Sequence, residues 1–410
     1  MKVKTYKYNS RTFFAIVDEN DCPVAPYVSA YINSALVSKA SNSVKRYVNE
    51  LLYVVIFFNN LSTRVAAGEI PTAKEYTDFY NYCCYKKERT NNESIAVFPS
   101  LERKGLRNII AANQRVNTLV ENQTIQGRIR QFRLYLTWLF DKFHGEFNPP
   151  QEVVEKYRKL ICKIKLDEEG LNHNSPKKTV SIDESSIPDD IFIALIEMIL
   201  PSSPNNPFKS SKIRNYLIVN TFIQTGIRRG ALAKMKISDC IFSGDYDSIK
   251  IYRGGTDHTD TRLETPNQKT KNHLIVVDTK LLQQYKVYID IIRSGYSRSI
   301  NHDFVFISEK NSKNTAGSPL SLKSINRIFS ILSKALKFHI HPHTCRHKWN
   351  EIFDDSGRKS GMDSALIEDI RKYAMGWSTN SIMNQTYNEK KLHEKAREVH
   401  INRQKRIDAQ

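Results

Sequence analysis

Several features that mark membrane, secreted or metal-binding proteins are scarce in this 410-residue sequence. It contains no long uncharged apolar run, so neither a membrane-spanning helix nor a membrane partner is expected. The first residues lack the apolar core of a secretory signal, which predicts a cytoplasmic protein. The six cysteines are scattered without a CxxC pair, so no zinc site and no disulfide framework is predicted.

Acidic residues are also too few to balance the basic ones. The chain has 43 Asp and Glu against 62 Lys and Arg, a formal net charge of +19. Such an excess favours a polyanionic partner, DNA or RNA, over an anionic membrane. With 40% hydrophobic and 10% aromatic residues, the sequence is typical of a folded globular protein, and its length allows two or three domains.

Hydrophobic periodicity divides the first part of the chain. Residues 1–25 alternate loosely and predict a small β-hairpin. Apolar residues at helical spacing predict amphipathic helices from Ser43 to Phe58 and from Thr124 to Phe143, within a helical domain of residues 26–165. Residues 166–184 are polar, contain Gly and Pro and show no helical period, so they are expected to form an interdomain linker.

The remainder, residues 185–410, is predicted to be one mixed domain with a charged C-terminal tail. A buried helix is expected from Ile213 to Ile223, stopped by Gly226. Two strands are expected around a long polar hairpin. The other predicted elements are the strands Ser248–Arg253, His273–Val277 and Phe304–Ile307 and the helices Leu281–Ile292 and Leu322–Leu336. The predicted fold class is therefore mainly α with a small antiparallel β-sheet.

Four residues of this second domain suggest a chemistry. Arg228 and Arg346 could each bind two phosphate oxygens through a rigid guanidinium. His343 lies three residues before Arg346, which places both on one helical face, and Tyr387 offers a phenol. Each residue alone is more often a salt-bridge, capping or packing residue, but their joint order favours a catalytic site. Attack on a phosphodiester without metal needs such a nucleophile, such cations and a proton donor.

The spacing of these motifs resembles that of the tyrosine recombinase (phage-type integrase) family. The resemblance implies a helical core-binding domain followed by an α+β catalytic domain. The segments that carry it are Thr225-Gly226-Ile227-Arg228, Gln268-Lys269-Thr270-Lys271, His343-Thr344-Cys345-Arg346-His347, Gly376-Trp377 and Tyr387.

The resemblance also implies a role for each motif residue. Tyr387 would attack phosphorus and form a 3′-phosphotyrosyl bond, while Arg228 and Arg346 hold the non-bridging oxygens. Lys269 would protonate the leaving 5′ oxygen; Lys271 is the alternative for that role. No cofactor, ATP or metal ion is then required.

Two further catalytic residues follow, together with three departures from the family pattern. His343 would assist as acid or base, and Trp377, where a histidine is commoner, would position the phosphate. Ala231 stands where many relatives carry an acidic residue, and Trp377 and Tyr387 lie about one residue further apart than expected. Tyr373 is a rival nucleophile, expected to face the core.

Contacts with DNA are predicted on two surfaces. Arginines on the outer face of the Thr124–Phe143 helix either bind DNA phosphates or are merely solvated. In the catalytic domain, two residues beside the catalytic motifs are expected to contact DNA. The predicted DNA-binding residues are Arg128, Arg130, Arg133, Lys271 and His347.

The resemblance implies a site-specific recombinase that acts on double-stranded DNA as a homotetramer on paired sites, because exchange of two duplexes needs four cleavages. An accessory DNA-bending or directionality protein is a possible further partner. Two alternatives remain: DNA relaxation by a type IB topoisomerase with similar chemistry, and a non-catalytic DNA-binding regulator. The C-terminal tail is expected either to dock on a neighbouring protomer or to fray.

Overall fold

A computed structural model describes the fold. The described residues are 1–8, 11–85, 119–146, 149–173, 186–242, 247–254, 257–268, 270–312 and 314–377. The chain divides into two compact units: unit 1 comprises Met1–Tyr8 and Thr12–Lys178, and unit 2 comprises Asn9–Arg11 and Thr179–Gln410.

Unit 1 combines a two-stranded sheet with helices. The predicted N-terminal hairpin is present, and both predicted helices form within two residues of their expected ends. The other four helices of this unit were not predicted individually. The elements are β1 (Lys2–Tyr8), β2 (Arg11–Val17), α1 (Pro26–Ser34), α2 (Ser41–Phe57), α3 (Leu61–Ala66), α4 (Ala73–Cys83), α5 (Asn122–His144) and α6 (Gln151–His173).

Helix α5 lies at the centre of the core of unit 1. It packs against α2, α3, α4 and α6. Phe132 of α5 is fully buried, with its ring stacked on Phe58 at a centroid distance of 4.9 Å and tilted against Phe79 at 5.1 Å. The apolar face deduced from the sequence is thus the face that α5 buries.

Helix α6 extends into the segment that was predicted to be a linker. It continues to His173, so the first eight residues of the predicted linker are helical. Glu168 is buried and accepts hydrogen bonds from Arg133 (2.6 Å) and Arg130 (3.3 Å), and Leu171 is buried as well. The segment looked like a linker because its buried face includes a carboxylate that is neutralised only by another helix.

Unit 2 is mainly helical around a three-stranded antiparallel sheet. Its helices and strands are α7 (Asp189–Ile199), α8 (Lys212–Thr225), α9 (Arg229–Lys234), β3 (Cys240–Ile241), β4 (Ser248–Ile251), β5 (His273–Val276), α10 (Thr279–Val287), α11 (Leu322–Leu336), α12 (Pro342–Lys359) and α13 (Ser364–Ala374). A π-helical turn, Tyr288–Ile292, follows α10.

The sheet contains the predicted hairpin. Strands β4 and β5 pair antiparallel with Ser248 opposite Val276 and Ile251 opposite His273, and the short β3 pairs with β4 on its other side. This arrangement confirms the predicted fold class, mainly α with a small antiparallel sheet.

The predicted strand Phe304–Ile307 is wrong. Phe304 and Ile307 form only isolated bridges, to Lys236 and Pro319 respectively. All four residues are buried, so this apolar run is a core segment without a continuous strand partner. A short apolar run alone does not distinguish the two cases.

A buried ion pair joins the last two described helices. Nη1 of Arg371 in α13 donates to both carboxylate oxygens of Asp354 in α12, at 2.6 and 2.8 Å. Arg371 is fully buried. The pair therefore sets the position of α13, and of the residues that follow it, relative to α12.

No helix in the described ranges is long and apolar enough to cross a membrane.

We expect Arg371→Ala to lower the free energy of unfolding by about 3–5 kcal/mol, because Asp354 would remain buried without its cation. Urea denaturation followed by circular dichroism measures the change. Lys372→Ala is the matched control: it removes a more exposed pair with Asp369 on the same helix and should cost less than about 1 kcal/mol. Equal losses in the two variants would contradict the role given to the buried pair.

Candidate active site

Gly226 forms the turn that precedes the first arginine. It ends α8 in the left-handed conformation, with φ of +59°. A Cβ atom at this position would lie 2.8 Å from Cε of Met375 and 3.0 Å from the ring of Trp349. Only glycine meets both constraints, so the chain can turn tightly and present Arg228 at the start of α9.

Arg346 approaches the same turn from α12. Its Nη1 donates a 2.7 Å hydrogen bond to the carbonyl oxygen of Gly226. Its side chain is buried, and Cζ lies 5.5 Å from the ring centroid of Trp377. Trp377 is itself buried. The structure therefore brings together three of the predicted catalytic residues, namely Arg228, Arg346 and Trp377.

His341 caps the helix that carries His343 and Arg346. Its Nδ1 accepts hydrogen bonds from the backbone N–H groups of His343 (3.1 Å) and Thr344 (3.2 Å). The hydroxyl of Thr344 in turn accepts from the backbone N–H of His341 at 3.0 Å. Nδ1 must be unprotonated to accept, so this cap requires a neutral imidazole. The sequence interpretation missed this role, although the residue precedes the helix-starting Pro342.

His343 lies in the first turn of α12, where its ring is only partly exposed to solvent. Loss of hydration lowers its pKa to about 4, and the positive charges of Arg346 and Arg228 act in the same direction. His343 is therefore neutral at neutral pH. Its ring centroid is 4.5 Å from that of His347, which is half-buried.

Strand β5 contributes a histidine that was not among the predicted site residues. The half-buried His273 lies at the start of β5, and its Nδ1 is 2.8 Å from the carbonyl oxygen of Lys271. Burial lowers the pKa of His273, as do the charges of Arg346 and Arg228. A hydrogen bond of 2.8 Å from the backbone N–H of Lys271 to the carbonyl of Gly376 ties this segment to the residue before Trp377.

These elements enclose a small cavity with space for roughly one water molecule. Among the described residues that line it, two are cationic and none is acidic. The lining residues are Thr225, Ile227, Arg228, Gln268, Thr270, His273, Ile275, Arg346, Ala374 and Met375. Such a lining suits an anion. Over the described residues, no cluster of three or more His, Cys, Asp or Glu side chains is arranged to hold a metal ion.

Some predicted site residues cannot be placed. Lys269 and Tyr387 lie outside the described residues, as does the C-terminal tail, and their roles stay predictions. Lys271 is exposed. The rival nucleophile Tyr373 is 78% exposed, so the expectation that it faces the core is wrong. Ala231 is buried in the core, where its short side chain offers no partner for Arg228.

The three arginines of α5 differ in their surroundings. Arg128 is buried, donates to the carbonyl oxygen of Tyr85 at 2.9 Å and lies 3.7 Å from the ring centroid of Tyr53. Its guanidinium is thus engaged inside unit 1. Arg130 and Arg133 both pair with Glu168, and Arg130 is the more exposed of the two. The expectation that Arg128 lies on the outer face of the helix is therefore wrong, and contact of this helix with DNA stays a prediction.

Known proteins resemble this chain in sequence and in structure. Residues 196–394, which lie within unit 2, match the sequence model of the phage integrase family. No curated protein sequence matches the chain. Among solved structures, the XerH site-specific recombinase bound to difH substrate in a pre-cleavage complex shows 15% identity and a TM-score of 0.47, over 93% of this chain and 89% of that chain.

Two other structures show weaker similarity. A lambda integrase (75–356) dimer bound to a COC′ core site has 12% identity and a TM-score of 0.45, over 88% of this chain and 93% of that chain. The XerA recombinase has 18% identity and a TM-score of 0.34, over 88% and 92%. None of these scores reaches 0.5, so the family match and the site residues carry the assignment.

The matched region begins in α7 and includes every predicted catalytic residue from Arg228 to Tyr387. Unit 2 therefore contains a catalytic domain of the phage integrase family. The protein is a tyrosine-type site-specific recombinase.

The neutral state of His343 can be tested by NMR. We expect its ring to titrate near pH 4 in the folded protein, and the pKa to rise towards the ordinary 6.5 in Arg346→Met, because one nearby positive charge is removed. Arg358→Met, at the other end of α12, should leave the pKa unchanged.

The lowered pKa of His343 also makes the stability of the folded protein depend on pH. Between about pH 6.5 and pH 4 the unfolded chain binds a proton at His343 that the folded chain does not bind. The contribution of His343 to stability is thus complete above pH 6.5 and is lost as the pH falls towards 4. A folded-state pKa near 6.5 in the unmodified protein would contradict the environment described here.

Proposed function

We propose that the recombinase cleaves and rejoins double-stranded DNA through a 3′-phosphotyrosyl intermediate formed by Tyr387, without a metal ion or ATP. The observation that carries this proposal is the convergence of Arg228 and Arg346, far apart in sequence, on one cavity without an acidic lining residue. Phosphoryl transfer passes through a transition state with negative charge on the non-bridging oxygens, and preorganised guanidinium groups stabilise that charge.

The remaining roles complete the step. The phenol of Tyr387 gives its proton to a base in the site as its oxygen bonds to phosphorus, and the bond from phosphorus to the 5′ oxygen breaks. Lys269 gives its proton to the leaving 5′ oxygen. The covalent link conserves the bond energy, so the free 5′-hydroxyl of a partner strand can reverse the step and complete an exchange.

The helical unit, residues 26–165, serves in this proposal as a second DNA-binding domain, with the catalytic domain from residue 185 onward. Arg130 and Arg133 are its candidate phosphate contacts, while Lys271 and His347 are those of the catalytic domain. Exchange between two duplexes requires four cleavages, so the active assembly is a homotetramer on paired sites. An accessory DNA-bending or directionality protein is a candidate additional partner.

The nucleophile is tested by covalent trapping. On a nicked recognition substrate that loses its 5′-hydroxyl fragment after cleavage, the unmodified protein should accumulate a covalent DNA adduct. Tyr387→Phe should give none, because phenylalanine has no oxygen to attack phosphorus. Tyr373→Phe removes the exposed rival and should form adduct at the unmodified rate. Adduct from Tyr387→Phe, resolved on a denaturing gel, would show that the nucleophile is another residue.

The cationic site is tested by single-turnover cleavage. Arg346→Ala should lower the rate by about 10²–10³-fold, because a preorganised transition-state contact is lost. Arg346→Lys keeps the charge but loses the planar fork, so it should retain more activity than the alanine variant. Unchanged cleavage in Arg346→Ala, with folding confirmed by circular dichroism, would favour a non-catalytic DNA-binding function.

A further inference from the structure

His273 occupies a position that a purely structural histidine would not need. It lines the cavity together with Arg228 and Arg346, on the strand opposite the helix that carries His343. Both arginines act on its titration, so their positive charges lie within electrostatic reach of the ring. The sequence offered no sign of this beyond the alternation of β5, which places His273 on the same face as the buried Ile275.

The hydrogen bond to Lys271 fixes the tautomer of His273. The carbonyl oxygen of Lys271 can only accept, so Nδ1 must carry the hydrogen that bridges the 2.8 Å distance. In the neutral ring, Nε2 then holds a lone pair. A neutral imidazole with one nitrogen anchored to the backbone and the other unprotonated is the form of a general base.

The turn before Trp377 is shaped around this ring. Gly376 has φ of +60°, and a Cβ atom there would lie 2.3 Å from Nδ1 of His273. The backbone N–H of Lys271 donates to the Gly376 carbonyl. The position of the imidazole is thus fixed by the same segment that places Trp377 against Arg346.

We propose that His273 is a further catalytic residue, which accepts the phenol proton of Tyr387 at Nε2 as the phenol oxygen bonds to phosphorus. The proton moves from the phenol to Nε2, the phosphorus to 5′ oxygen bond breaks, and Lys269 supplies the proton for the departing oxygen. In the reverse reaction each proton returns to its origin. This inference rests on the proposed phosphotyrosyl chemistry.

The charges around His273 couple this proton transfer to the presence of the phosphodiester. Arg228 and Arg346 oppose protonation of His273 when the cavity holds no anion. A bound phosphodiester brings negative charge, and its transition state brings more, which offsets that repulsion. Binding of the phosphodiester and formation of the transition state therefore both favour proton transfer to Nε2.

The test is single-turnover cleavage by His273→Asn, which retains a donor towards the Lys271 carbonyl but has no basic nitrogen. We expect a loss of about 10²-fold or more, the lower end of what a general base contributes. Leu274→Asn, on the exposed opposite face of β5, is the matched control and should cleave at the unmodified rate.

A substrate with sulfur in place of the bridging 5′ oxygen distinguishes a residue that deprotonates the phenol from one that protonates the leaving group. A thiolate leaves without protonation, since thiols have a pKa of about 8.5. The sulfur substrate should restore cleavage by Lys269→Ala and should not restore cleavage by His273→Asn. Rescue of His273→Asn would assign this histidine to leaving-group protonation and overturn the proposal.

The pH profile gives a readout that a structural role would not move. In the unmodified protein, the cleavage rate should fall at low pH as Nε2 of His273 becomes protonated. This fall should be absent in His273→Asn. Unmodified rates and an unmodified profile in His273→Asn would overturn the role of His273 while leaving Tyr387 as the nucleophile. Adduct formation by Tyr387→Phe, in contrast, would overturn the underlying chemistry itself.

One measurement does not depend on the variant folding. NMR of the protein labelled with ¹⁵N-histidine should show His273 as the Nδ1–H tautomer with a pKa below 6.5. The Nε2–H tautomer would contradict the proposal, because no lone pair would then be available to the phenol.

Discussion

The hydrogen bond from Arg346 to the carbonyl oxygen of Gly226 is the contact on which the geometry of the site depends. It joins the end of α8 to the second turn of α12, so the two arginines face one cavity. Its acceptor is available only because Gly226 adopts a left-handed conformation beneath Trp349 and Met375. A side chain at that glycine would displace the carbonyl and, with it, the guanidinium of Arg346.

Burial and the positive charge of two arginines together determine the titration behaviour of the site. Loss of hydration lowers the pKa values of His273 and His343, and the arginines act in the same direction, so both imidazoles are neutral at neutral pH. Neutral imidazoles next to guanidinium groups avoid additional like-charge repulsion before an anion binds. The lining of the cavity thus suits an anion, as the proposed phosphodiester chemistry requires.

The sequence predicted the parts of the fold that follow from repeated spacing. Helices α2 and α5 and the hairpin of β4 and β5 appear where hydrophobic periodicity places them, because one face of each is buried. The end of α6 was missed because Glu168 is stabilised by arginines of another helix. The segment Phe304–Ile307 was interpreted as a strand because burial in a core segment leaves the same apolar run.

The candidate site divides in the same way. Arg228 and Arg346 were found because their spacing matches a known family, and the structure brings them together. His273 was missed because a cavity contact depends on the tertiary arrangement rather than on a motif. His341 was missed although its cap is local and its position before Pro342 was a usable signal. Tyr373 was expected to face the core because it precedes Gly376 and Trp377, but only Trp377 is buried there.

The identity of the covalent bond tests the account most directly. After trapping on DNA and protease digestion, mass spectrometry should find a single nucleotide-bearing peptide, with a 3′ phosphate esterified to the phenol oxygen of Tyr387. A link through any other side chain, or to a 5′ phosphate, would contradict the assignment of this site as one that attacks DNA with Tyr387 while Arg228 and Arg346 stabilise the phosphate charge.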